Sequence, residues 1–301
     1  MPNVLIPAIF ISVSSVLFIA AVSPDTSTAI VHETLPSAVV SPLIPESLFL
    51  AGEQVPIESF SVREKLDREL IINTYRHSSS ILYLKRASRW FPLIEPILEE
   101  HGIPNDFKYL AVIESGLSQA VSPAGASGFW QFMKKTAPEY ELEVTSTVDE
   151  RYHVEKSTHA ACQYLLESYE KFGNWGLAAA SYNMGMTGVE HRLEAQGVDS
   201  YWELHLNSET GRYVYRMLAV KEVLSHPETY GFQLTENDLY LPHEVRKVAI
   251  TASIENLSEF ALKNGSNYRE LKELNPWLIK DSFVASPGKT YTVYFPKTVT
   301  E

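Results

Sequence analysis

A single cysteine, Cys162, in 301 residues excludes an intramolecular disulfide and any cysteine-built metal site. Set in "AACQYLL", it reads as a small core residue and not as a nucleophile. The nine histidines never take HExxH spacing, and His153 and His159, six apart, do not share a helix face. No metal ligand and no cofactor are expected. Positive charge is scarce as well. The chain has 25 Lys and Arg against 37 Asp and Glu, a formal charge of −12, and no basic stripe. Nucleic acid is excluded as a partner, because its phosphates would be repelled over most of the surface. Alternating strand patterns are missing from residues 61 to 230, so that region is expected to be mainly α.

What is present divides the chain into four. Val4 to Val22 carries no charge over nineteen residues, about 28 Å as a helix and close to the hydrocarbon thickness of a bilayer. Residues 1–22 therefore read as a signal peptide or a membrane anchor, with both open, and the protein as exported to the periplasm or cell envelope. Residues 23–60, rich in Pro, Ser, Thr and Val without a sustained period, read as a linker. From Ser61 the apolar spacing is helical: Val62, Leu66 and Leu70 in one segment, then "ASRWFPLIEPILEEHGIP", which Gly102 and Pro104 stop. "STHAACQYLLESYEKFG" predicts a helix capped by Ser157 or Thr158 and ended by Gly173, and "GRYVYRMLAVKEVLSH" predicts another. Residues 61–242 thus form a helical domain. After Pro242 the texture changes to strand ("VRKVAI"), two short helices and strand ("TYTVYFP"), a small βααβ unit over 243–301. Its 8 basic and 7 acidic residues leave nearly all the negative charge in the preceding part, which favours a separate, removable unit.

Chemistry concentrates in "ESGLSQAVSPAGASGFWQFM". Glu114 ends a helix behind Leu110, Ala111, Val112 and Ile113, so its carboxyl is expected at the edge of an apolar core. Burial there raises its pKa toward the state a general acid needs near neutrality. Gly125 and Gly128 in the following loop allow close backbone approach to a ligand, Trp130 offers an apolar face and Gln131 a neutral hydrogen-bonding group. Such groups suit a sugar ring. A serine hydrolase is excluded, because GxSxG requires glycine where Phe129 stands and a strand before the turn.

These residues resemble the lytic transglycosylases with a soluble-lytic-transglycosylase, goose-type-lysozyme-like domain, and most of all the membrane-bound murein transglycosylase D group. The first family motif is matched by Glu114-Ser115, Ser122-Pro123, Gly125-Ala126-Ser127-Gly128 and Gln131. The second is matched by "AAASYNMG" with Tyr182, Asn183 and Gly185, and the third by Glu209, Thr210, Tyr213 and Val214. Two departures stand out. "GLSQAV" is one residue shorter than the common pattern and lacks its Asn-Pro or Asp-Pro, and Ser181 replaces a small apolar residue.

The resemblance implies a lysozyme-like fold and peptidoglycan glycan strands as substrate. It implies cleavage of the β-1,4 bond from N-acetylmuramic acid to N-acetylglucosamine with formation of 1,6-anhydromuramic acid. Glu114 would act as the single acid and then base, since an internal hydroxyl nucleophile needs no second carboxylate. Tyr182 would orient Glu114, Ser122 and Gln131 would contact sugars, Met133 would line the groove, Asn183 would contact substrate or join the motifs, and Glu209 would join the motifs. Tyr213 falls between these roles. The terminal unit resembles LysM through "LKELNP", "SPGKTY" and "VYFP", with "TASIENLS" in place of the usual Gly-Asp-Thr-Leu opening. A hydrolytic muramidase on the same fold and a non-catalytic wall-binding protein are the competing readings.

Overall fold

A computed structural model describes residues 39–297. The segment read as signal or anchor, 1–22, lies outside the described residues, as do residues 23–38 of the linker. No helix among the described residues is long and apolar enough to cross a membrane.

The linker expected up to residue 60 gives way to packed chain earlier. Strands β1 (Phe49–Leu50) and β2 (Glu53–Gln54) pair antiparallel, and Leu48, Leu50, Val55 and Ile57 are buried in the main core. Four apolar side chains spaced through a short hairpin suffice to dock it, though they show no helical or strand period longer than a few residues. Glu53 completes the docking. Its carboxylate accepts from Asn174 Nδ2 at 2.9 Å and from the Trp175 backbone N–H at 2.8 Å.

Five helices then build the frame, α1 (Phe60–Tyr75), α2 (His77–Glu100), α3 (Lys108–Ser115), α4 (Val154–Phe172) and α5 (Trp175–Met184), followed by α6 (Met186–Gln196) and α7 (Thr210–Ser225). Helix α1 buries Val62, Leu66 and Leu70, the spacing read from sequence. Helix α4 ends at Gly173 in the left-handed region, as expected, but it starts earlier than Ser157. His153 is its N-cap, and Ser157 and Thr158 instead bond back to the carbonyls of His153 and Val154 inside the helix. Helix α5 is buried from Trp175 to Ser181, which explains its alanines: a helix enclosed on all sides has no polar face to offer.

The terminal unit is βααβ, with β3 (Val245–Ile250) antiparallel to β4 (Tyr291–Pro296) in the register Val245↔Pro296 to Ile250↔Tyr291, and α8 (Leu257–Lys263) and α9 (Tyr268–Leu274) between them. Fully buried Asn275 explains "LNP". Its amide donates to the Leu271 and Tyr294 carbonyls and accepts from the Tyr294 N–H, tying α9 to β4. This unit has its own core, into which the helical part contributes Val148. Val148 forms a β-bridge with Leu278, the Asp149 N–H donates to Trp277 O at 2.9 Å, and the Ile279 N–H to Thr147 O at 3.1 Å. Glu143 accepts from Ser286 Oγ (2.7 Å), Lys289 Nζ (2.9 Å) and Tyr291 Oη (2.8 Å). The described residues from Ser41 onward form one compact unit.

Candidate active site

Helix α3 delivers Glu114 two residues before the chain turns at Gly116, whose φ of 61° places it in the left-handed region that glycine adopts without strain. Tyr109 to Ile113 are buried behind it, while the carboxyl itself lies at the edge of the core. Burial raises the Glu114 pKa above the ordinary carboxylate value. The Tyr213 hydroxyl, which donates to Oε1, and the Arg216 guanidinium pull it back, and Glu209 pushes it up again. The net rise is the direction expected from the apolar run.

The motif residues converge, but several in roles other than those foreseen. Tyr213, buried on α7, makes the direct contact with Glu114. Tyr182 instead donates to the Trp130 carbonyl at 2.8 Å; its hydroxyl pKa is raised well above normal by burial and then by the charge of Glu114. Ser122 accepts from the Ala126 N–H at 3.0 Å, and its backbone pairs with Ala126 and Gly125, so its hydroxyl secures the turn. Gln131, at φ 50°, donates through Nε2 to the carbonyls of Ala120 (3.0 Å) and Gly128 (2.7 Å). The whole loop is therefore stitched to itself. Met133 is exposed beside it. Asn183 accepts from Thr210 Oγ1 at 2.7 Å and lies 3.5 Å from Glu209 Oε1, which joins the second and third motifs as the second of its two foreseen roles requires.

Two expectations about the loop are corrected. Trp130 offers no face to a sugar: it is wholly buried, with Nε1 donating to Thr158 Oγ1 at 2.9 Å. Gly128 serves packing, not ligand approach, since a Cβ there would stand 1.9 Å from the Arg151 carbonyl oxygen. Gly128→Ala is expected to destabilise the fold by about 3 kcal/mol or more, combining that collision with a φ of 79°. A denaturant midpoint within error of the parent would contradict it.

Sequence reasoning missed Arg151 altogether. Buried against Asp149 in a two-pronged ion pair (2.9 and 2.7 Å), its remaining Nη1 donates to the carbonyls of Gly125 (2.9 Å) and Phe132 (3.1 Å). Both ends of the glycine loop hang from this one guanidinium. In "VDERYH" the pair resembles an ordinary charged cap, and nothing local reveals partners some twenty residues upstream.

Two stretches of the chain match known protein families. Residues 93–204 match the Transglycosylase SLT domain family and residues 246–299 the Soluble lytic transglycosylase C-terminal LysM-like domain family. Over 246 residues the chain is 29% identical to the membrane-bound lytic murein transglycosylase D of Escherichia coli, covering 80% of this chain and 52% of that protein. The chain thus spans about half the length of the curated relatives it matches. Among solved structures, the 70 kDa soluble lytic transglycosylase of Escherichia coli aligns with a TM-score of 0.39 at 23% identity, covering 51% of this chain and 27% of that one. The lytic transglycosylase Slt of Pseudomonas aeruginosa gives 0.38 at 20%, covering 51% and 26%. By these matches the chain carries a transglycosylase SLT domain followed by a soluble lytic transglycosylase C-terminal LysM-like domain.

Proposed function

We propose that the protein is a peptidoglycan lytic transglycosylase that cleaves the β-1,4 bond between N-acetylmuramic acid and N-acetylglucosamine and leaves a 1,6-anhydromuramyl end. The observation that carries this reading is a single partly buried carboxyl with a raised pKa, Glu114, held by a buried tyrosine hydroxyl. Protonated Glu114 donates to the leaving glycosidic oxygen as the C1–O bond breaks. The resulting carboxylate then takes the proton from the muramyl C6 hydroxyl as that oxygen bonds to C1, so acid and base are one residue in sequence. The Tyr213 hydrogen bond stabilises the charged intermediate state of Glu114, and Arg216 does so through its charge. Ser122, Gln131 and Arg151 set the shape of the loop, so their part in sugar recognition is to place backbone groups and the exposed Met133.

One observation favours hydrolysis as the second reading. Glu209 is exposed and close enough to Glu114 to raise its pKa, so a second carboxylate is at hand for a water nucleophile. Mass analysis of products from purified sacculi separates the two. Anhydromuramyl ends are expected; reducing muramic acid ends alone would move the assignment to a muramidase, and no digestion of sacculi or denuded strands to a wall-binding protein. A cell-envelope location, by export or by an N-terminal anchor, is supported by the substrate and by the membrane-bound relative.

Tyr213→Phe gives a directional pH test. Its hydroxyl bond lowers the Glu114 pKa, so removing it should raise that pKa further. Activity that depends on protonated Glu114 is lost as pH rises through this pKa, so the alkaline limb of the pH profile should move to higher pH. Turnover should fall roughly tenfold as the carboxylate loses a charge-assisted bond. A limb that stays in place or moves to lower pH would remove Tyr213 from control of Glu114.

A further inference from the structure

Glu114 stands in the last turn of α3, where a helix leaves carbonyls without intrahelical partners and carries the negative end of its dipole. A carboxylate formed there meets like charge. The last turn of α3 has no basic residue of its own, and the cations come from neighbouring helices instead. Arg216 of α7 donates through Nη2 to the Ile113 carbonyl at 2.9 Å, and Arg86 of α2 donates through Nη1 to the Gly116 carbonyl, also at 2.9 Å. These two carbonyls lie one residue before Glu114 and two residues after it. Gly116 is pinned from a second direction: a Cβ on it would stand 2.8 Å from Tyr83 Cε1, one turn before Arg86 on α2.

In a chain with 37 acidic residues, neither guanidinium is in an ion pair among the described residues. A direct pair with Glu114 would hold that carboxyl ionised and remove the proton it has to deliver. Bonded to the main chain, Arg216 acts on Glu114 through its charge alone, a pull weaker than that of the Tyr213 hydroxyl and outweighed by burial. The carboxyl keeps its proton for the first transfer, and positive charge stands ready when the carboxylate forms. The other charged and titratable groups facing Glu114 are Tyr213 on α7, Glu209 at the start of α7 and Tyr182 on α5. We propose that Arg86 and Arg216 are positioning residues that together cap the carbonyl end of α3 and fix the turn after Glu114, so that the carboxyl keeps one place through its acid and base steps. The inference rests on the proposed function for the need of both steps.

The test compares Arg86→Met, Arg216→Met and the two Arg→Lys variants in the full chain, with two readouts. On soluble glycan oligomers each Met variant should lower kcat about 10- to 100-fold, the scale of a misplaced group, with KM within about twofold of the parent. Each Lys variant keeps a cationic donor and should recover most of that loss. The second readout needs no turnover: in protein labelled with ¹³C at the glutamate carboxyls, the signal missing in Glu114→Gln belongs to Glu114. Its titration midpoint should rise in Arg216→Met, because a cation that favours the carboxylate is gone, and return toward the parent in Arg216→Lys. The alkaline limb of the activity profile should follow it to higher pH. A raised KM at unchanged kcat would make the arginines substrate contacts, and a kcat loss no larger than the lost folded fraction would make them scaffold; either result overturns the inference. Where a Met variant does not fold, the Gln variant takes its place under the same criteria. If the Glu114 midpoint stays still in Arg216→Met while sacculi yield anhydromuramyl ends, the inference falls and the proposed function stands. If the midpoint moves as expected and no glycan is cleaved, the proposed function falls and the charge link to Glu114 stands.

Discussion

Glu114→Gln is expected to lower turnover by at least about 10²- to 10⁴-fold, the usual contribution of one acid/base group, because here that group carries both proton transfers. The amide keeps the shape of the carboxyl and can still accept from Tyr213, so glycan binding should survive. Stability gives an independent readout. A carboxyl whose folded pKa lies above its unfolded value binds more protons in the folded state, so it costs stability as pH rises above the ordinary carboxylate range. The neutral glutamine has no such cost. The variant should therefore melt at or above the parent temperature at neutral pH, and the difference should shrink toward acid pH. An active Glu114→Gln would remove Glu114 from the chemistry, and an inactive variant that melts well below the parent would make loss of fold the cause.

Deleting residues 243–301 should reduce turnover on short soluble glycans by roughly 10- to 100-fold, the scale on which small misplacements of a site are felt, and not merely weaken retention on sacculi. Composition alone favours a removable unit whose loss costs only tethering. The contacts argue for more. Without the unit, Val148 loses a burial of about 1.5–3 kcal/mol, and the segment from Glu143 to Glu155 loses the β-bridge to Leu278 and its bonds from Ser286, Lys289, Tyr291 and Tyr294. That segment carries Arg151, from which the glycine loop hangs. Val148→Asp in the full chain should reproduce the loss, because it opens the same junction from the other side. If the truncated protein cleaves soluble oligomers at the parent rate and fails only on sacculi, the unit is a tether and the brace is wrong.

Much of this was legible before any coordinates. Val62, Leu66 and Leu70 announced α1 because one helical period buried them all, and Gly173 ended α4 because only a left-handed residue closes a helix that way. The βααβ unit was legible from its two β-branched runs, and Glu114 from the apolar residues before it. What stayed hidden depends on pairing at a distance. Trp130 reads as a sugar platform until Thr158 claims its indole N–H, and Gly128 reads as ligand clearance until the Arg151 carbonyl occupies the space. Tyr213 and Tyr182 are both motif tyrosines, 31 positions apart in sequence, and only the packing of α7 on α3 decides which touches the acid. The hairpin around Leu50 was lost in a proline-rich stretch because four buried side chains make too short a pattern to register.

The junction at Glu143 also fixes a sequence of events in time. Its three partners lie 143, 146 and 148 positions downstream, so on a chain made from its N-terminus the groove loop is synthesised long before the residues that brace it. Contacts of such separation form late, because a long loop must first be closed. Helices α1 to α7 can assemble beforehand, as units of local contacts do. The final brace on the site is thus deferred to the end of synthesis, and a chain interrupted after Ser225 but before Ser286 would have its acid in place and the wall around it unfinished.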